Sequence, residues 1–78
     1  MMNIGMMWLF DKPLAGLVPN LIDAADYYRQ KYGQVPNLCM VNPKDAVALN
    51  VGIVTIKPMR EILPRSLWIG MQDTGDAH

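Results

Sequence analysis

The hydrophobic pattern is most regular over residues 18–33, where Leu21, Ile22, Ala25, Tyr28 and Tyr32 recur at steps of three and four and so share one face of a helix. Asn20, Asp23, Asp26, Gln30 and Lys31 fall on the opposite side. Asn20 with Asp23 three residues on resembles an N-cap with an acidic third position. Gly33 suits the left-handed closure of a helix, Pro36 prevents its resumption, and Arg29 and Lys31 stand in the last turn, where cations complement the helix dipole. The pattern predicts one main helix over about 18–32, with Gly16 and Pro19 opposing an earlier start.

On either side of that helix the pattern changes to short apolar runs. Residues 4–10 form an almost unbroken run closed by Asp11-Lys12-Pro13, which predicts a strand buried on both faces, Trp8 and Phe10 on one and Met7 and Leu9 on the other. Residues 37–41 predict a second such strand. A strand, a helix and a strand at this spacing suit a right-handed crossover, so the first two strands are expected to be parallel neighbours. Asn42-Pro43-Lys44-Asp45 is a turn, and residues 46–49 suggest a helical turn. Over 51–57 the alternation of Ile53, Thr55 and Lys57 with Val54 and Ile56 predicts a half-exposed strand near an edge, ended by Pro58. The link before it is short for a full crossover, which leaves its direction open. Residues 59–63 lie between two prolines and fit a helical turn or an extended arm. Residues 67–71 predict a fourth strand, with Trp68 on one face and Leu67 and Ile69 on the other. The expected fold is α/β, with α+β as the alternative: a single domain over 1–72, an approximately four-stranded mixed sheet with the helix on one face, and a flexible acidic tail over 73–78.

Composition sharpens this picture. Of 78 residues, 51% are hydrophobic and only 18% charged, below the usual quarter, with seven methionines and two tryptophans. A chain this short buries only about 60–65% of the surface its unfolded form exposes. So much apolar surface in so small a globule points to association with a second copy. The formal charge is zero, so no bulk electrostatic argument favours nucleic acid or a membrane. No run approaches the ~20 apolar residues of a membrane span. Residues 1–10 lack the basic start of a targeting segment. A cytoplasmic protein is expected, and the single cysteine, Cys39, fits a reducing compartment as a small buried hydrophobe.

Candidate chemistry is sparse. The only histidine is His78, and the only serine, Ser66, has no histidine near it in sequence. Zinc spacing and glycine-rich phosphate loops are absent. Asp23 and Asp26 read as solvated charges paired with Arg29 or Gln30 rather than as catalytic carboxylates. No catalytic residue, metal ligand or cofactor is expected, and the balance leans away from an enzyme. Three functional readings follow. The first is a homodimeric accessory or regulatory module, using the last two strands and a segment carrying Met59, Arg60, Ile62, Arg65 and Trp68, because Trp and Arg are enriched at interfaces. The second is a nucleic-acid-binding module using Lys44, Lys57, Arg60 and Arg65. The third is a small anion or ligand site beyond the strand ends, with Asp11, Lys12, Asn42 and Lys44 as its rim.

Overall fold

The computed structural model describes residues 4–72; the acidic tail expected over 73–78 lies outside them. Five strands and one long helix follow in the order β1 (Ile4–Leu9), α1 (Leu17–Tyr32), β2 (Leu38–Val41), β3 (Asn50–Val51), β4 (Val54–Pro58) and β5 (Ser66–Met71). They build a small α+β domain whose mixed sheet has the order β1-β5-β2-β4-β3. β5 runs antiparallel to both β1 and β2, so β1 and β2 point the same way, but they are not paired. The expected parallel neighbours are therefore split by the last strand of the chain, and the parallel pair is β2 with β4. The reason lies in β5, whose Leu67 and Ile69 are wholly buried. Such a strand is most stable between two others, and β1 is displaced to the edge.

β1 is consequently not buried on both faces. Met6 and Trp8 pack toward the core, while Met7 and Leu9 are 56% and 76% exposed. The sheet has five strands rather than about four because Gly52, at φ 59°, breaks the expected 51–57 strand into a β3–β4 hairpin with a two-residue turn. The alternation expected beyond the turn is present, with Val54 and Ile56 buried and Thr55 and Lys57 exposed. The link from β2 to parallel β4 takes the tight path, through a 3-10 turn at Pro43–Asp45 and then the hairpin.

The helix begins at Leu17, one residue before the expected span, with Gly16 at its N-cap and Pro19 in the first turn, where a missing N–H costs little. It ends as expected: Gly33 is left-handed, and its N–H donates to the Arg29 carbonyl at 2.8 Å. Its buried face is Leu17, Asn20, Leu21, Ala24 and Tyr28. This differs from the expected face. Ile22 is 56% exposed, Tyr32 is 40% exposed, and Asn20 is fully buried instead of capping the helix. The Asn20 amide explains the rotation. Its Nδ2 donates to the carbonyls of Lys12 and Gly16, at 2.8 and 2.6 Å, and its Oδ1 accepts from the Lys12 N–H at 3.0 Å. A fully bonded amide can be buried at little cost, and this one clamps the β1–α1 connection onto the helix.

Residues 59–65 are neither a regular helix nor a projecting arm. The Met59 N–H donates to the Val41 carbonyl at 2.7 Å, and Asn42 Nδ2 donates to the Ile62 carbonyl at 2.9 Å, folding the loop against the end of β2. Arg65, at φ 62°, is held there by its N–H donating to Asp45 Oδ2 at 2.9 Å.

Replacing Asn20 with Ala removes three hydrogen bonds, among them the acceptor of the Lys12 N–H, and loosens the connection to the helix, so Asn20→Ala is expected to lower unfolding stability by about 1–3 kcal/mol. Urea denaturation followed by circular dichroism measures this; an unchanged midpoint would contradict the clamp.

Candidate association surface

The sheet has two unlike sides. On one, Phe10, Cys39, Val41, Val54, Ile56, Leu67 and Ile69 meet Leu17, Leu21, Ala24 and Tyr28 of α1 in a single core. On the other, no helix among the described residues packs on the strands, yet exposure is uneven: Leu38 of β2 is only 4% exposed, whereas Met7, Leu9, Thr55 and Lys57 are open. Strand register sets a row across that side, Met7 beside Trp68, Trp68 beside Met40, and Met40 beside Lys57. The next row is Gly5, Gly70, Leu38 and Thr55. Gly5 matters because the Trp68 indole occupies the space its side chain would fill: a Cβ there would overlap Trp68 Cζ2. Trp68 is therefore half-buried over a glycine floor, with Met7 and Leu9 exposed beside it at the margin formed by β1.

β1 is also an open edge. The Phe10 N–H donates to the Arg65 carbonyl at 3.0 Å, and Leu9 stands opposite Ser66. In an antiparallel ladder, residues alternate in the direction their backbone groups point. Met6 and Trp8 therefore turn their N–H and C=O toward β5, and Gly5, Met7 and Leu9 turn theirs outward. On the helix side of the same margin, the Trp8 ring lies 5.3 Å from that of Tyr27, and its buried indole N–H meets no acceptor among the described residues.

Of the residues expected at an interface, only Trp68 lies on the open side. Met59, Arg60, Ile62 and Arg65 sit in the folded loop at the end of the sheet where β2 and β4 finish, with Met59 and Ile62 half-buried and both arginines exposed. β5 offers no edge, and β4 is paired with β2 on one side and with β3 over Val54 and Thr55 on the other. Sequence reasoning missed the β1 margin because an unbroken apolar run looks the same in a central strand and in an edge strand.

The same end of the sheet collects Lys44, Lys57, Arg60 and Arg65, because β2 and β4 finish there and β5 begins there. Asp11, Asp45 and Glu61 are interleaved with them in sequence. Asp11 and Lys12 reach this end from β1, separated from Asn42 and Lys44 by β5, a gap of roughly 10 Å for two strand spacings. Lys12 Nζ is 3.1 Å from Asp23, and this partner raises the ammonium pKa. Asn42 is occupied as well, accepting from the Lys44 N–H at 2.9 Å and donating to Ile62. Asp26 pairs with Arg29 and Gln30, as expected, whereas Asp23 turns to Lys12 instead.

Among the described residues, no group of three or more His, Cys, Asp or Glu side chains could hold a metal, and no helix is long and apolar enough to cross a membrane. An apolar groove of about 250 Å³ between residues 46–49 and β4 is lined by Ala46, Val47, Ala48, Leu49, Ile56 and Pro58, with no polar side chain to direct chemistry. Cys39 is fully buried, and desolvation pushes its thiol up to about 12. The arrangement defines a small α+β domain in which, among the described residues, the one long helix packs on one face of the mixed sheet. No family model, curated protein or solved structure matches the chain.

Two outcomes follow from this geometry. Gly5→Ala must displace the Trp68 indole, shifting its NMR N–H signal and costing about 1–3 kcal/mol; an unmoved signal would contradict the close approach. Above pH 9 the unfolded chain loses the Cys39 proton while the folded chain keeps it, so stability falls by about 1.4 kcal/mol per pH unit until about pH 12. Urea titrations from pH 8.5 to 10.5 should show this slope in the native chain relative to Cys39→Ala; parallel slopes would refute it.

Proposed function

We propose that this protein acts by self-association, as a homodimeric accessory or regulatory module. The observation that carries the reading is the apolar margin of the uncovered sheet side, where exposed Met7 and Leu9 flank the half-buried Trp68. Side chains of this size on an uncovered sheet lose about 25 cal/mol per Å² of favourable burial for as long as they face water. A symmetric partner removes that exposure without needing a second gene product. The contact therefore centres on β1 and Trp68 rather than on the 59–65 loop.

A second reading, binding of single-stranded nucleic acid, rests on the four cations at one end of the sheet, with Lys57 extending the row of Trp68 and Met40 toward them. An aromatic ring on an open sheet with cations beside it is the combination such binders use. It ranks below association because Asp45 and Glu61 offset those cations and only one aromatic ring lies on that side.

Sedimentation equilibrium at micromolar concentration should give twice the chain mass, and Trp68→Ala should weaken the dimer by tenfold or more. A monomer throughout that range would remove the reading. Titration with a short oligonucleotide at ~50 mM salt should leave Trp68 fluorescence unchanged; saturable quenching that weakens as salt rises would promote the second reading instead.

A further inference from the structure

We propose that the two copies join edge to edge through β1, antiparallel and centred on Met7, so that their sheets become one continuous sheet. The proposal rests on the self-association reading and specifies its geometry. Four observations support a second copy as the occupant of this edge.

First, the outward N–H and C=O groups belong to Gly5, Met7 and Leu9, which are spaced to meet an identical strand about a two-fold axis. Met7 would face Met7 of the second copy, and Gly5 would face Leu9. Each such pair exchanges two bonds, giving about six across the junction. Second, the side chains are complementary in size in that register. Leu9, 76% exposed and with Ser66 of β5 on its inner side, would come to lie on its outer side next to Gly5 of the second copy, against the indole of Trp68 that fills the glycine position. Third, β1 carries none of the features that protect edges from pairing. It is six residues long and contains no charge and no proline, so two copies meet without like-charge repulsion. The opposite edge, β3, is only two residues long and ends in the Gly52 turn. Fourth, the join extends the pattern already present, because the Lys57–Met40–Trp68–Met7 row of one copy would run directly into its symmetry mate. On the helix side, the same register sets Trp8 against Met6 of the second copy, a sulfur–aromatic contact.

The test is amide hydrogen exchange as a function of protein concentration, alongside sedimentation. The amides of Met6 and Trp8 bond to β5 and are protected in either state. Those of Gly5, Met7 and Leu9 should slow by tenfold or more as the dimer forms. Met7→Pro removes only an outward N–H and is tolerated at an edge; it should abolish the dimer while keeping the sheet signal in circular dichroism. Should that variant fail to fold, Leu9→Lys, at an exposed position, places two like charges at the junction and should raise the dissociation constant at least tenfold. A dimer in which the Gly5, Met7 and Leu9 amides exchange at the same rate at every concentration overturns the edge-to-edge join and leaves self-association standing. A chain that stays monomeric overturns both. Slowing of these amides only on addition of an unrelated extended peptide also overturns the second copy as the occupant.

Discussion

The fold depends on β5 pairing on both sides. Leu67 and Ile69 have no exposed surface, and they lose it only when the last strand of the chain lies between the first strand and the second. That insertion brings residues near the two ends of the described chain into register, Gly5 opposite Gly70 and Trp8 opposite Leu67. It must be made across nearly the full length of the polypeptide, so the core closes through contacts of large sequence separation. Once β5 is in place, β2 occupies the centre, its carbonyl at Val41 receives the loop after β4, and β1 is left at the margin.

That margin is where covering the core and covering the surface come into conflict. One helix of 16 residues can shield only one side of five strands. It does so with Leu17, Leu21, Ala24 and Tyr28, held in orientation by the buried Asn20 amide and, more weakly, by the exposed Lys12–Asp23 pair. Among the described residues no helix covers the other side, where Leu38 alone of the large apolar side chains is buried. Thr55 and Lys57 make that exposure acceptable on β4, but Met7, Leu9 and Trp68 do not on β1 and β5. The glycine at position 5 lets Trp68 settle partway, lying against the sheet where it would otherwise project from it. An open backbone edge and an apolar fringe then coincide on a single strand, a combination that monomeric sheets ordinarily avoid.

Much of this was legible in the residues themselves. The helix and its glycine stop, the alternation after Gly52, the split of Leu67 and Ile69 from Trp68, and the burial of Cys39 all follow from periodicity, because a side chain's neighbours within one element are set by 3.6 or 2 residues per repeat. The surplus of apolar surface was legible from composition alone. The phase of the helix was not: Ile22 and Asn20 exchange their expected places because a hydrogen-bonded amide can be buried, and no propensity scale registers the three backbone partners that make it so.

What tertiary structure alone decided was strand order, and with it the location of the candidate surface. Local pattern assigns each strand its two faces but is silent about its neighbours, since an apolar run is equally content in the middle of a sheet or at a margin awaiting a partner. Only the long-range choice of β5 to separate β1 from β2 turned Gly5, Met7 and Leu9 outward. The residues determined that the chain holds more apolar surface than one sheet and one helix can cover; the packing placed Met7 and Leu9 on the outer strand and left much of the rest, Leu14, Leu49 and Leu63 among it, in the connections.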